Sequence, residues 1–530
     1  METSEKIPVI TEIEYTLDDL KNRCIKQEFQ IEELTAKLNW YEEQFRLSNQ
    51  KRFGTSSEKT DMDQLNFLFD EAEKESDSKV PETTVEEITY KRKKQVGQRE
   101  KMLEDLPVEI IEYHVSEEQK ICQICGDYGH VMGHEIRREL KIIPAQVIVV
   151  EHVRDIVSCR RCEGNDVTTP IITAAMPVPV LSGSLVSPSL MAFVMNRKFV
   201  EAIPLYRQEQ QFSYFGIELS RQTLANWMIH GANDWLNILY SRMHEYLIKQ
   251  DIIHADETTL QVLNEPGRAA TTNSYMWLFR TGRIGPAIVM YEYQTTRASK
   301  HPCKFLTGFK GYINADGYPG YNNIPDVKIV GCWAHARRKF DEALKAMPDK
   351  SIISSVAAKE GLDYCNKLFE IERKLVDLTD EERYEKRLEQ SKPVLGAFLG
   401  WLNIKSKQVL PKSAFGMAIT YCLNQWHKLE GFLLDGRLEI DNNRGERSIK
   451  PFVIGRKNWL FSNSQKGATA SAVIYSVIET AKENQLNPLL YLTYLFEQLP
   501  NTDRKDIQKL DALLPWSKDL PDSCRKPLKK

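Results

Sequence analysis

The chain has 530 residues, of which 42% are hydrophobic and 27% charged, and its formal net charge is −3. Single hydrophobic cores stop growing near about 250–300 residues, so this length predicts several domains, with the composition of a globular protein. No apolar run reaches the ~18 residues that a membrane-spanning helix needs, and the N-terminus lacks a secretory apolar segment. These features predict a cytoplasmic protein that has no membrane partner.

Acidic and basic residues are separated along the chain. The stretch 58–87 is rich in Asp and Glu, four basic residues follow at 91–94, and the C-terminus is basic again. Local patches govern contact with nucleic acid more than net charge does. The small negative total therefore does not exclude DNA as a partner.

A heptad pattern begins at Leu17, and eight of its ten a and d positions are apolar when Cys24 is included. The pattern favours a coiled coil within residues 1–56. The alternative is an amphipathic helix packed on its own domain. Because the residues that follow are polar and supply no docking surface, we favour self-association into a homodimer or a higher oligomer. An acidic and then basic linker is predicted for residues 57–100.

Two Cys-x-x-Cys pairs joined by alternating apolar residues predict a zinc-ribbon domain over residues 101–170. Each pair offers two thiolates from a tight turn, and four thiolates close a tetrahedral structural Zn²⁺ site. Three nearby histidines, at positions 130, 134 and 152, are more simply explained as polar surface or strand residues. The predicted zinc ligands are Cys122, Cys125, Cys159 and Cys162.

Residues 171–250 are predicted to be helical. Within them a helix is followed by a turn at Gly216 and by a second helix with Ser220 as its N-cap. This pattern fits a helix-turn-helix in which Arg221, Gln222 and Asn226 face a DNA groove. Two packed helices that connect domains explain the pattern equally well.

From residue 251 to about 340 the pattern changes to strands separated by Gly, Pro and Asn turns. Three strands in succession, then a fourth and a fifth that alternate with helices, is the order of a ribonuclease-H-like fold. An acid on the first strand of that fold lies beside an acid on the fourth. Asp256 and Asp316 occupy those two positions.

The residues from 341 to 436 are helical throughout and predict a long insertion, after which the core ends at 437–484 and a small helical domain follows at 485–530. Because of the insertion, the third acid comes much later in the chain, at Glu446. Asn443 and Glu446 also fit a capping box, and Asp441 or Glu439 could supply the carboxylate instead. The basic residues around Glu446 suit a phosphate backbone, and we predict DNA contacts from Arg447, Lys450, Arg456 and Lys457.

Three convergent carboxylates suit Mg²⁺ better than zinc, because a hard ion prefers oxygen ligands. Two such ions, with Mn²⁺ as a substitute, clamp the attacking and leaving oxygens of a phosphodiester displacement. Asp256, Asp316 and Glu446 therefore predict a nuclease or a DNA-strand transferase.

His335 follows Cys332 in a Cys-x-x-His step. This step could bind a metal, although the sequence offers no partner pair nearby. The simpler interpretation is a buried cysteine at a strand end and a histidine at a helix start. In a functional version His335 hydrogen-bonds a scissile phosphate or an active-site acid, and the adjacent Arg337 and Arg338 face DNA.

Motifs along nearly the whole chain resemble the IS66-family transposases, the large DDE proteins of bacterial insertion sequences. They include "KRFGTSSEK", "LYRQEQ", "LSRQTLANW", "HADET", "GCWAHARRKF", "GRLEIDNNRGERSIKP" and "GRKNWLFSNSQKG". The resemblance implies a zipper, a zinc finger, a ribonuclease-H-like DDE domain with acids at Asp256, Asp316 and Glu446, and companion proteins from the same element. Cys332 and His335 resemble the C/D(2)H signature of several transposase groups. Gly445 is a departure, because relatives usually have Ala there.

The resulting hypothesis is a multidomain α/β transposase that binds element ends and target DNA, cutting and joining strands with Mg²⁺. One alternative is a non-catalytic DNA-binding regulator, which has no need of an acid triad. The other is a metal-dependent nuclease that lacks strand transfer.

Overall fold

The computed structural model describes residues 147–158, 171–346 and 353–526, together with residue 27. The described residues from 154 onward belong to one compact unit, and residues 147–153 belong to a second. Residues 147–153 are exposed and lack regular secondary structure. The predicted linker and the four predicted zinc ligands lie outside the described residues, as does the predicted coiled coil apart from residue 27.

A short hairpin borders the second Cys-x-x-Cys pair. Strand β1 (Ile156–Ser158) pairs antiparallel with β2 (Ile171–Thr173), so that Val157 lies opposite Ile172. Of the described part of the alternating segment before Cys159, only these last three residues form a strand.

Four helices follow the hairpin within the predicted helical range 171–250, which itself begins with β2 and a segment without helix up to residue 187. They are α1 (Pro188–Phe199), α2 (Leu205–Tyr214), α3 (Arg221–His230) and, after a π-helical segment at Gly231–Leu236, α4 (Asn237–Leu247).

The turn between α2 and α3 lies where the sequence predicts it, and it fits both a helix-turn-helix and two packed helices. Gly216 has a φ of +75°, a conformation that favours glycine. Ser220 is the N-cap of α3, and its hydroxyl accepts the backbone N–H of Thr223 at 3.1 Å. Helix α3 buries Leu224 and Trp227. The three residues predicted to face DNA are all exposed: Arg221, Gln222 and Asn226.

A mixed sheet forms the centre of the unit. Its strand order is β5-β4-β3-β6-β7, and β8 pairs with β3 beyond this path. The strands are β3 (Ile252–Asn264), β4 (Asn273–Thr281), β5 (Val289–Gln294), β6 (Gly311–Ala315), β7 (Val327–Gly331) and β8 (Ser462–Ser464).

The first three strands are antiparallel neighbours, whereas β6 and β7 run parallel to β3. The short helix α5 (Lys300–Phe305) connects β5 to β6. Tyr312 donates its backbone N–H to the carbonyl of Asp251 at 2.8 Å where β6 joins β3. A Cβ at Gly311 would lie 2.2 Å from that carbonyl oxygen, so the approach of the two strands requires glycine.

The predicted insertion is helical. It follows α6 (Trp333–Ala346) and contains α7 (Ile353–Lys374), α8 (Asp380–Lys386), a π-helical segment (Arg387–Ser391), α9 (Lys392–Lys405), α10 (Ala414–Leu429) and a 3₁₀ segment (Glu430–Leu434). These helices have their own core, which includes Phe340 and Phe398, separate from the core around the other face of the sheet.

A buried ion-pair cluster joins the helices of the insertion to the segment that follows them in the chain. Glu372 accepts hydrogen bonds from Arg383 and from Arg387, each at 2.7 Å. Arg387 is fully buried and also donates to the carbonyls of Phe432 and Leu438, both at 2.8 Å. The cluster therefore fixes the segment that leads towards residue 446.

The chain returns to the sheet through α11 (Asn443–Trp459), β8 and α12 (Gln465–Glu483), and ends with α13 (Pro488–Gln498) and α14 (Ile507–Ala512). Leu492 and Phe496 of α13 share a core with Met191 and Met195 of α1. The segment predicted as a small C-terminal domain therefore packs with the helices before the sheet. Within the described ranges, no helix is both long enough and apolar enough to cross a membrane.

Candidate active site

Asp256 and Asp316 lie at matching positions on neighbouring parallel strands. His254 of β3 is paired with Asn314 of β6. Asp256 comes two residues after His254, and Asp316 comes two residues after Asn314. Asp316 comes directly after β6, whereas Asp256 lies within the longer β3. Because the two strands run in the same direction, the two aspartates occupy equivalent positions just beyond the last paired residues of β3 and β6.

Asp256 is held among other acids. Its Oδ1 accepts the backbone N–H of Glu257 at 2.8 Å. Burial raises the pKa of Asp256 well above its usual value, and repulsion from Glu257 raises it further. The charges of Asp316 and Glu446 contribute in the same direction. The charges of Asp316 and Glu446 therefore both affect the ionisation of Asp256.

Glu446 lies in the first turns of α11. Its carboxylate is 22% exposed, and Oε1 lies 3.7 Å from Nδ1 of His335. The other oxygen, Oε2, lies 3.6 Å from a guanidinium nitrogen of Arg338. Both distances exceed a hydrogen bond. The structure thus brings His335, Arg338 and Glu446 together.

The alternative interpretation of Asn443 and Glu446 as a capping box is not observed. Helix α11 has Asn442 as its N-cap, and no side chain caps it. The Asn442 amide is engaged elsewhere: Nδ2 donates to the carbonyl of Ala255 at 2.9 Å, and Oδ1 lies 2.9 Å from Nδ1 of His254. Since an amide oxygen can only accept, Nδ1 of His254 is the donor in this contact.

Asn442 joins three elements of the site. Its side chain contacts His254 of β3, two residues before Asp256. Its backbone N–H donates to Sγ of Cys332 at 3.2 Å, and its carbonyl accepts the backbone N–H of Glu446 at 3.0 Å. The residue is 2% exposed. The sequence reasoning missed Asn442 and His254, because only the fold shows that they meet.

The two alternative acids are both engaged. Glu439 binds Arg444 through Oε1 at 2.7 Å, and its Oε2 lies 3.1 Å from Nε2 of His254. Burial would raise the pKa of Glu439, but the bonds from His254 and Arg444 outweigh it and lower the pKa strongly. Asp441 accepts both the backbone and the side-chain N–H groups of Asn443, at 3.0 and 2.7 Å. In contrast, Oε1 of Glu446 is buried without a hydrogen-bond partner among the described residues.

The Cys-x-x-His step lies where β7 meets α6. Cys332 is 1% exposed, and His335 lies in the first turn of α6. The sulfur accepts backbone N–H groups from Asn442 and His335. Burial lowers the pKa of His335, whereas the charge of Glu446 opposes that shift.

One wall of the site comes from the insertion, which the sequence reasoning did not predict. A Cβ at Gly317, directly after Asp316, would lie 3.2 Å from the ring of Tyr421 and 3.3 Å from the amide carbon of Gln425. Both residues belong to α10. Burial lowers the pKa of Lys428, which lies at the end of the same helix, and the charge of Asp316 opposes the shift.

The predicted DNA-contacting residues differ in exposure. Arg337, Arg447 and Lys457 are exposed, and Lys450 is half-buried. Arg337 donates to Oδ1 of Asn366 in the insertion at 2.7 Å. Arg456 lies over β3 just beyond Asp256, and donates to the hydroxyls of two residues at 3.2 Å: Thr258 and Thr259.

Family models match most of the chain. The model described as "Transposase IS66 family" matches residues 183–470, and "IS66 C-terminal element" matches 476–516. "Zinc-finger binding domain of transposase IS66" matches 119–163, a segment that contains all four cysteines of the predicted ribbon. "Transposase C of IS166 homeodomain" matches 40–111, from within the predicted coiled coil through the predicted linker.

Two relatives from Sinorhizobium fredii (strain NBRC 101917 / NGR234) match over most of their length. The uncharacterized protein y4jD is 31% identical over 429 residues, which cover 78% of this chain and 81% of y4jD. The uncharacterized protein y4hP is 30% identical over 421 residues, which cover 76% of this chain and 74% of y4hP. With the family model matching more than half of its residues, the chain belongs to the IS66 family of transposases.

Proposed function

We propose that this transposase cuts DNA at the ends of its element and joins the freed 3′-hydroxyl to target DNA, with Asp256, Asp316 and Glu446 as its catalytic acids. The observation that carries the proposal is the register of the parallel strands β3 and β6, which puts Asp256 and Asp316 at matching positions. Asp316 and Glu446, from separate parts of the chain, both raise the pKa of Asp256. Crowded carboxylates of this kind mark sites built for a cation or for acid–base chemistry.

The strand order supports a ribonuclease-H-like core. Three antiparallel strands, β5, β4 and β3, are followed across the sheet by the parallel strands β6 and β7. The helical insertion separates Asp316 from Glu446 in sequence, and α11 returns the third acid to the sheet. This arrangement is the one that the sequence order predicts.

The acids fit Mg²⁺, with Mn²⁺ as a substitute. They offer oxygen ligands, and Oε1 of Glu446 is buried without a partner among the described residues. When bound, two such ions supply charge stabilisation for the attacking and leaving oxygens of a phosphodiester displacement. Asp256 and Asp316 would hold one ion between them, and each acid, with Glu446, would help to hold the second.

The surrounding residues bind and orient the DNA. His335 and Arg338, beside Glu446, are placed to hold a phosphate oxygen of the scissile strand. Arg456 extends along β3 beyond Asp256 and would hold the next part of the backbone. The exposed cations Arg337, Arg447 and Lys457, with the half-buried Lys450, would add further phosphate contacts.

Binding of element ends would involve the N-terminal half of the chain. The ribbon would carry Zn²⁺ on Cys122, Cys125, Cys159 and Cys162, and α3 would present Arg221, Gln222 and Asn226 to a groove. The heptad segment would pair two chains, and companion proteins of the element would join the complex.

The test is a strand-joining assay with labelled element ends, Mg²⁺ and a target plasmid. Asp256→Asn and Asp316→Asn should each lose at least a thousandfold of cleavage and joining while keeping end binding within about twofold, because removing such a ligand costs several kcal/mol of transition-state stabilisation. Asp363→Asn, which changes an exposed aspartate of the insertion, serves as control.

Activity in either variant would contradict the assignment. A pre-cut end with a free 3′-hydroxyl separates the transposase from a plain nuclease, because only the transposase joins such an end to the plasmid. A chain that binds ends but neither cuts nor joins them would be the DNA-binding regulator.

A further inference from the structure

Three side chains that can bind a soft metal meet beside the candidate catalytic acids. Cys332, His335 and Glu446 each offer one ligand atom, and these atoms all lie within 4.8 Å of one another. Cys332 ends the strand β7, His335 begins α6, and Glu446 begins α11. The sequence showed Cys-x-x-His without a partner, and the fold supplies that partner from more than a hundred residues away.

Two atoms of this cluster are buried and unpaired. Nδ1 of His335 and Oε1 of Glu446 are shielded from solvent and have no hydrogen-bond partner among the described residues. They face each other at 3.7 Å, which is too far for a hydrogen bond between them. Buried polar atoms in native proteins nearly always have a partner, and a bound ion is one of the explanations for an exception.

The ligand set selects the metal. A thiolate, an imidazole nitrogen and a carboxylate oxygen suit Zn²⁺, whereas Mg²⁺ prefers oxygen ligands throughout. Three protein ligands leave a fourth position of a tetrahedral zinc site open. The backbone N–H groups of Asn442 and His335 that point at the sulfur stabilise its thiolate.

We propose that Cys332, His335 and Glu446 form a Zn²⁺ site, distinct from the ribbon, that withdraws Glu446 from the other two acids. Binding forms a zinc–sulfur bond, and the thiol proton is released to solvent. The inhibitory consequence rests on the proposed function, because it requires Glu446 to act with Asp256 and Asp316.

Metal binding is tested first without DNA. The full chain, with zinc in its ribbon, is titrated with Co²⁺ while the visible and near-ultraviolet absorbance is recorded. We expect one additional Co²⁺ per chain, with a thiolate-to-metal charge-transfer band. Cys332→Ser should abolish that band, and His335→Ala should weaken binding at least tenfold.

The choice of variants protects the test against simple unfolding. Serine at position 332 still offers an oxygen that accepts the two backbone N–H groups. The control is Cys303→Ser, which changes a partly exposed cysteine whose sulfur donates to the carbonyl of Asn323 at 3.3 Å. The proposal is overturned if the band survives in Cys332→Ser, or if Cys303→Ser removes it.

The inhibitory consequence is tested by cleavage of element ends at fixed Mg²⁺ with buffered free Zn²⁺. Zinc should inhibit the unmodified chain, and Cys332→Ser should raise the inhibiting zinc concentration at least tenfold. A chain that binds the additional Co²⁺ but never cleaves DNA would refute the proposed function and leave the metal site standing. A chain that cleaves DNA without binding the additional Co²⁺ would refute the metal site alone.

Discussion

Asp256 is an acid whose ionisation opposes folding when no cation is bound. An aspartate in an unfolded chain has a pKa near ~3.9, and burial with nearby acids raises the folded value. The folded chain therefore binds the proton more strongly, so its stability falls as the pH rises from the unfolded pKa towards the folded one. At neutral pH the charged carboxylate therefore lowers the stability of the folded chain, and a bound cation would offset this loss.

We expect Asp256→Asn to raise the melting temperature in magnesium-free buffer at neutral pH. One kcal/mol corresponds to roughly 2–4 °C in chains of 150–250 residues and to less in longer ones, so a rise of about 1–3 °C is expected. Added Mg²⁺ should stabilise the original chain more than the variant. An unchanged or lower melting temperature would mean that the environment of Asp256 favours its charge.

Asn442 is the second residue on which the site depends. We expect Asn442→Ala to lower the rate of strand cleavage at least tenfold at unchanged DNA affinity, because Glu446 loses its fixed position relative to β3. The buried partners left unpaired, on His254 and Ala255, would also cost about 1–3 kcal/mol each in stability. Asn458→Ala, at an exposed position of the same helix, is the control. Full cleavage activity in Asn442→Ala would contradict the positioning role.

Among the elements, the insertion depends on the ion pairs of Glu372 with Arg383 and Arg387. We expect Glu372→Ala to destabilise the chain by about 3–5 kcal/mol, since it leaves two buried guanidinium groups without their carboxylate. The measurement is the free energy of unfolding by denaturant. Glu370→Ala breaks an exposed pair with Lys374 on the same helix and should have no measurable effect. Equal effects of the two changes would show that the buried cluster adds nothing.

Strand and helix positions were predictable from local pattern. The five strands from β3 to β7 follow apolar runs between turn residues, and the Ser220 cap follows from the residue type at a helix start. The pairing of β3 with β6 was predictable only through the order of elements. These features depend on residues that are near one another in the chain, and the sequence displays that information directly.

Contacts between distant segments were not predictable in the same way. Asn442 is the N-cap residue of α11, yet its amide binds His254 and Ala255, which lie almost two hundred residues earlier. For the same reason, the sequence does not show that Glu446 lies beside Cys332 and His335. The position of α10 beside Asp316 was also not predictable, because the sequence of an insertion does not show which surface it covers.

For the whole molecule, DNA affinity should depend on a local cation group rather than on the net charge of −3. We expect the triple change Arg447→Ala, Lys450→Ala and Lys457→Ala to weaken binding to all DNA sequences alike. Each phosphate contact contributes about 0.9 to the slope of log affinity against log salt, so the slope should fall by about 2.7. Lys374→Ala, on the exposed side of α7, is the control. An unchanged slope would place the DNA on another surface.

The separation of Asp316 from Glu446 by a whole helical insertion has a consequence during synthesis. The strands that carry the two aspartates leave the ribosome long before α11 does, and the insertion has a core of its own that can form in the meantime. Glu446, the third acid of the proposed site, is made only when translation is well advanced. A prematurely terminated chain that ends within the insertion lacks Glu446, so under the proposed function it would be unable to cut the element that encodes it.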